Sequence, residues 1–343
     1  MRKVLFFSAA VGALAFIMAT ASICLHARAQ GSTGEVPAAG AAAQRIALAY
    51  VSTTHAVLAG VALEEGYYRQ EGLEVTARRH SFGRSALEDM LAGNADLATA
   101  ADIPIMMAIM KGERISIIAT IQTSTRDNAI VARKDAGIVT AADLTGKKIA
   151  RAPGTTSDFF MDAFLCAHGI GDKNVKKIDM KPEMFLDALV SGRVDAVSAF
   201  QPFLVRVEKE LGDRVLSFYD KNIYTWSFNI VAREEYVRRN PEKVRKLLRA
   251  LVRAERFVKE NPGRAQEIVT RFSGLEAGMV REIWPSINFQ VVLDQFLVLA
   301  LEDESRWAMS SGRITGREVP NYLDFIHFDG LGSVKPDGVR ILR

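Results

Sequence analysis

Two short stretches hold the side chains best suited to ligand chemistry: Ser52-Thr53-Thr54-His55 and, about a hundred residues on, Gly154-Thr155-Thr156-Ser157. In each, an apolar run ends in hydroxyls and opens into a second, helix-like apolar run. A helix needs only one hydroxyl as its N-cap. A glycine turn followed by three offers backbone and side-chain donors together, the arrangement that receives an anionic or carbonyl-bearing group. His55 reads either as a further contact or as a capped, solvent-facing histidine. Asp102 and Gln201 hold similar places, each shortly before a proline. With Pro104 just inside the helix start, Asp102 suits a capping role; facing a ligand ionised, it would repel a simple anion and suit one that also carries an amine. Trp226, with Tyr224 and Phe200 near it, reads either as the wall of an apolar site or as packing. Arg126 in "TSTRDN" is either a bidentate partner for a carboxylate or sulfonate or a solvated loop residue.

Metal and cofactor chemistry find no foothold. The five histidines are scattered and none forms a His/Cys metal-ligand spacing, so no metal and no cofactor is expected. Residues 1–29 read as a secretory signal, with Arg2-Lys3, an apolar run and Ala27-Arg28-Ala29 as the cleavage pattern. An uncleaved anchor and lipidation of Cys24 are the alternatives, and all three imply export. Removing Arg2, Lys3 and Arg28 from 44 basic residues leaves 41 against 40 acidic ones, which gives no basic stripe for nucleic acid. Cys166 is then the one cysteine, so no intramolecular disulfide forms.

After a small-residue linker, 30–44, strand-like and helix-like runs alternate from "RIALAYV" to "ISIIATIQT". Such a βαβ series favours a mostly parallel sheet with helices on its faces. Near residue 147 the series restarts. "RIALAYVSTTHAVLAGVALEEGY" lies against "KKIARAPGTTSDFFMDAFLCAHGI", and "MLAGNADLATAADIP" against "LVSGRVDAVSAFQPF". Gly93 then matches Gly192, Asp96 matches Asp195, and Asp102 falls opposite Gln201. Two lobes on one plan follow, with "NAIVARKDAG" and "YTWSFNIVAREEY" as crossings, both carrying Ile-Val-Ala-Arg after an asparagine. Ligands of open α/β sheets bind beyond the strand C-termini, so the hydroxyl turns become facing jaws. The basic amphipathic run 242–269 reads as a helix face covering the first lobe.

"EEGYYRQEGLEV", "ALEDMLAGNADLATAADIP", "IVARKDAGIVTAADLTGKKIARAPGTT", "LVSGRVDAVSAFQPF", "VAREEYVRRNPEKVRKLLRAL" and "VPNYLDFIHFDGLGSVKPDGVRIL", in this order, resemble the extracytoplasmic substrate-binding proteins of ABC transporters, in the nitrate, sulfonate, taurine and thiamine-precursor branch. The resemblance implies a type II periplasmic binding protein fold, α/β and two-lobed, with the ligand cleft between the lobes. Lobe 1 would span 45–131 and 232–343 and lobe 2 132–231. It further implies a periplasmic, monomeric protein that binds a small acidic or zwitterionic solute and hands it to an ABC permease and its ATPase. A ligand-sensing role is the alternative. A thiamine-pyrimidine enzyme on this fold would carry a cysteine-rich segment that this chain lacks.

Overall fold

The computed structural model describes residues 43–315 and 318–342. The expected signal, Cys24 and nearly all of the linker lie outside the described residues. The strands are β1 (Gln44–Val51), β2 (Leu73–His80), β3 (Leu97–Ala101), β4 (Ile115–Ser124), β5 (Asn128–Arg133), β6 (Lys148–Arg151), β7 (Lys176–Asp179), β8 (Ala196–Phe200), β9 (Val215–Phe218), β10 (Trp226–Arg233), β11 (Asn288–Asp294) and β12 (Val339–Arg340). They form one seven-stranded sheet, ordered β12-β11-β4-β10-β3-β1-β2, and one five-stranded sheet, ordered β7-β6-β8-β5-β9. Helices flank both sheets, so central strands such as Leu97–Ala101 are buried along their whole length, as strands covered on both faces must be.

The repeat in the sequence is a repeat in the hydrogen bonding. Asp96 accepts the Ala47 N–H on its carboxylate at 2.8 Å and donates its own N–H to the Ala47 carbonyl at 2.8 Å. Asp195 does the same with Lys148, at 2.8 and 2.8 Å. Asp96 thereby fixes the register between β1 and β3, and Asp195 that between β6 and β8. Gly93 and Gly192 stand just before them with φ of 85° and 68°, a left-handed conformation open to glycine at little cost.

Antiparallel pairing enters where the chain crosses. β5 runs against β8 and β9, and β10 runs against β3 and β4. Because each crossing strand is built wholly into its new sheet, the sheets change hands between Ser124 and Asn128 and between Phe218 and Trp226. Those points lie several residues before the expected boundaries at 131/132 and 231/232. The amphipathic run 242–269 forms two helices, Pro241–Glu260 and Pro262–Ser273; the first buries Val244, Leu247, Leu248 and Leu251 and packs on the helix Val57–Glu64 beside the first sheet.

Candidate ligand site between the two sheets

The C-terminal ends of β1, β3, β6 and β8 and the start of β10 converge on a narrow cavity of about 20 Å³, room for roughly one water molecule. His55, Phe200, Trp226 and Phe228 wall it. The His55 ring lies 4.7 Å from Trp226 and 5.4 Å from Phe228, and those two stack at 5.2 Å. Thr155 and Thr156 face this wall from the other sheet. They begin the helix Thr156–Ala167; the earliest N–H groups of a helix lack an intrahelical acceptor, and here the Asp158 N–H already reaches back to the Thr155 carbonyl at 3.1 Å. The Thr155 hydroxyl does not cap that helix; it donates to the Ala152 carbonyl at 2.8 Å. Gly83 lets its helix come close: a Cβ there would sit 3.1 Å from the Ala100 Cα, the Ala101 nitrogen and the Phe228 ring.

Arg84 and Pro104 also line a larger hollow of about 330 Å³, whose other walls include the charged groups Arg151, Asp158 and Arg313 and Gly154. Here the two halves grip each other. Arg84 donates to the Pro153 carbonyl at 2.7 Å. Arg313 donates twice to Asp158, at 2.8 and 2.6 Å, and the Trp307 indole N–H reaches Asp162 at 3.1 Å. Burial pushes the Asp158 carboxyl up, but the Arg313 hydrogen bond, the Gly154 N–H and the charges of Arg151 and Arg313 outweigh it and hold the group below the usual range.

Asp102 lies elsewhere than a ligand-facing position would put it. It is fully buried. One oxygen accepts the Ile103 N–H at 2.9 Å and the Tyr224 hydroxyl; the other accepts the Ser227 N–H at 2.8 Å and the Ser227 hydroxyl at 3.0 Å. Burial still pushes its pKa up, to about 6, against those hydrogen bonds. Near it Glu304, 1 % exposed, leaves both carboxyl oxygens without a partner; burial first, then the charge of Asp102, raise it well above its ordinary range. Both acids therefore bind protons more tightly folded than unfolded, so their contribution to stability falls as pH rises from about 4 through about 6 and beyond. Asp158 and Glu255, held low, act in the opposite sense below about pH 4, and His327, which burial holds below its ordinary value, opposes the two acids as pH rises toward about 6.5. The protein should melt higher at pH 5 than at pH 8, and Glu304→Met should flatten that slope and raise the pH 8 melting temperature. A melting temperature that climbs from pH 5 to pH 8 would contradict both assignments.

Several other expected residues also have internal work. Ser157 accepts the Ala152 N–H and donates to the Ser198 carbonyl at 2.6 Å, tying the helix start to β8. The Gln201 side-chain oxygen Oε1 accepts the Val205 N–H at 3.2 Å. Thr53 caps its own turn through the His55 N–H, and Ser52 donates its N–H to the His80 carbonyl. Gly154, φ 67°, gives its N–H to Asp158. Arg126 is exposed and rests 4.4 Å over the Tyr219 ring. The sequence reading passed over Asp127, whose Oδ1 lies 2.9 Å from His55 Nε2 with both side chains buried, and Phe228. Asp127 stands next to Arg126, but its partner is 72 residues away and no local spacing betrays the pair.

Residues 52–265, more than half of the 343, match the sequence profile of the family described as NMT1/THI5 like. The chain belongs to that family. An aliphatic sulfonates-binding protein, so named, of Bacillus subtilis (strain 168) is 24% identical over 228 residues, 65% of this chain and 68% of that one. Among solved structures, the periplasmic aliphatic sulphonate binding protein SsuA from Escherichia coli superposes with a TM-score of 0.72 at 16% identity, over 83% of this chain and 98% of that one. The periplasmic nitrate-binding protein NrtA from Synechocystis PCC 6803 gives 0.66 at 16% identity, over 86% and 89%. At these identities the likeness is one of fold: this NMT1/THI5-like chain has the two-sheet architecture of periplasmic binding proteins. These three are described as binding proteins, whereas a relative from Haemophilus influenzae (strain ATCC 51907 / DSM 11121 / KW20 / Rd), 24% identical over 223 residues, is described as a thiamine biosynthesis protein.

Proposed function

We propose that this protein is the exported solute-binding component of an ABC importer and closes two lobes on a small acidic organic solute of the sulfonate class. The lobes are the two sheets with their helices, and the acidic group sits at the Thr156 hydroxyl and the first N–H groups of its helix. His55 and Trp226 hold the solute's body. The observation that carries the reading is this convergence: a hydroxyl-bearing helix start from one sheet facing an aromatic wall from the other, where strand ends meet. The names of the Bacillus and Escherichia relatives support the ligand class. The inner cavity is smaller than any such solute, so binding requires the lobes to part and reclose. The protein works in the periplasm as a monomer and delivers its load to a permease and ATPase.

A thermal-shift series with alkane-, aminoalkane- and arenesulfonates, carboxylates and nitrate tests this. At a thousandfold excess over Kd a ligand stabilises the fold by about 4 kcal/mol, a rise of several degrees. Thr156→Ala, which removes a hydrogen bond to a charged group, should weaken the best ligand roughly tenfold to a hundredfold. No shift with any sulfonate, or an unchanged affinity in Thr156→Ala, would remove the basis of the assignment.

A further inference from the structure

Among the residues lining the inner cavity, Arg84 and His55 are the two that carry or can acquire positive charge. Arg84 is already engaged: it donates to Glu88 at 2.8 Å and to the Pro153 carbonyl at 2.7 Å, and it is exposed. The Thr156 hydroxyl and the backbone N–H groups are neutral donors. An anion brought into so closed a space is costly to bury unless a counter-charge meets it. His55 is the lining group that can supply one.

The pair with Asp127 decides how. His55 Nε2 lies 2.9 Å from Asp127 Oδ1, with 4% of each side chain exposed. An ionised carboxylate only accepts, so Nε2 carries the hydrogen of this bond. Nδ1 is then the nitrogen that changes, a bare acceptor in the neutral ring and an N–H donor in the charged one. Among the described residues no hydrogen bond reaches Nδ1, and it is not one of the sealed, unpartnered atoms. A bare Nδ1 turns a lone pair toward an incoming anion and repels it, whereas a protonated Nδ1 donates to it. Asp127 favours the second form, because an adjacent carboxylate stabilises the imidazolium. Its Oδ2 is buried without a partner, and Arg126 beside it rests over Tyr219 instead. Asp102 and Glu304 act on the same Tyr224 that feels Asp127, so whatever negative charge they hold works in the same direction; Arg84, on the lining, works against it.

We propose that His55 is the charged anchor for the solute's acidic group, taking up a proton at Nδ1 as the anion binds, and that Asp127 is the positioning residue that holds Nε2 and offsets the charge. The inference rests on the sulfonate-binding reading above and adds a proton to what is bound. The face of the imidazole ring stays against the solute's body beside Trp226, and its edge meets the acid that Thr156 receives from the other sheet. A sulfonate is ionised throughout the neutral range, so a proton taken up on binding belongs to the protein. Linkage is reciprocal: affinity falls as pH rises, by up to about tenfold per pH unit where a whole proton is taken up.

Isothermal titration with the tightest binder of ethanesulfonate, propanesulfonate and benzenesulfonate, in buffers of different ionisation enthalpy from about pH 6 to about pH 9, counts the protons. Uptake approaching one proton per ligand is expected toward the alkaline end, with affinity falling at least about tenfold across the range. His55→Gln should abolish the uptake and flatten the profile to less than about threefold. Asp127→Asn keeps an acceptor for the Nε2 hydrogen and removes the charge, so it should move the uptake about one pH unit or more lower. An Asp127 with a merely structural role would lower affinity equally at every pH. Circular dichroism and melting check each variant, and His55→Asn replaces the glutamine variant if that one fails to fold. Binding without proton uptake anywhere in the range, which needs no variant to see, overturns the proposal and leaves the sulfonate reading standing; so does uptake that persists in folded His55→Gln. If the parent binds none of the three, the sulfonate reading itself falls, and the proton's role falls with it.

Discussion

Asp102→Ala is expected to lower the free energy of unfolding by about 3 to 5 kcal/mol, about 6 to 10 °C in melting temperature for a domain of this size, while leaving ligand affinity intact below the new transition. The loss comes from the groups left behind. The Ile103 and Ser227 N–H groups and the Tyr224 and Ser227 hydroxyls all donate to this one carboxyl group. The order continues outward: Thr120 donates to Asn229 at 2.6 Å, and Asn229 donates to Ser227 at 3.1 Å, so Ser227 has a reason to point its own proton at Asp102. Asparagine is a poor substitute for the same reason. Each Asp102 oxygen already receives a backbone N–H, so an amide NH₂ must face one of them, donor against donor. Asp102→Asn should therefore cost about 2 kcal/mol, whereas protonation of Asp102 is tolerated because either hydroxyl can turn to accept. An alanine variant melting within 2 °C of the parent, or one with selectively lost affinity, would restore a ligand-facing Asp102.

Much of this architecture was legible because it is local. Alternating apolar runs bounded by glycines mark the βαβ units, and the paired landmarks Gly93-Asp96 and Gly192-Asp195 mark a repeat whose hydrogen bonds are the same in both halves. The hydroxyl turns were visible too, and the structure sorts them: Thr155 and Thr156 line the cavity, whereas Ser157 is consumed by β8. What sequence could not convey is which way a polar side chain faces at a strand end. Asp102 and Asp127 look alike in the chain, each at the brink of an element. Only the crossing of β10 beside β3 brings Ser227 and Tyr224 to the first, and only the packing of His55 across the crossing gives the second a partner while leaving one oxygen free. The expected sheet boundaries were late for a related reason, since β5 and β10 continue as regular strands on both sides of the expected division.

The other large effect concerns the grip between the halves. Trp307 and Arg313 lie in and just beyond the helix Gln295–Ser310, which packs on the first sheet's helix Asp102–Met110, while Asp158 and Asp162 lie on the second sheet's helix Thr156–Ala167. Asp158, 1% exposed, takes both Arg313 bonds, an Arg151 bond at 2.7 Å and the Gly154 N–H at 3.0 Å. One carboxylate thus joins the opposing half to the turn that presents Thr155 and Thr156. Asp158→Ala leaves Arg151 with Asp179 and Arg313 with Asp162, each at 2.9 Å, and should cost about 3 kcal/mol for the hydrogen bonds lost. Arg313→Ala should cost less, about 2 kcal/mol, because Arg151 and the Gly154 N–H still attend Asp158. Its functional effect is the more telling one. Removing a contact made only when the halves are together shifts the population toward the open form, and apparent affinity falls by the fraction of closed molecules lost. We expect Arg313→Ala to enlarge the ligand-free radius of gyration in small-angle scattering and to weaken binding severalfold, although Arg313 is not among the residues lining the inner cavity. Arg313→Lys should not restore either quantity, since a single ammonium cannot reproduce the two parallel bonds to Asp158 or the stacking 4.4 Å over Trp307. Parental scattering and affinity in Arg313→Ala would mean that the bridge follows closure without stabilising it.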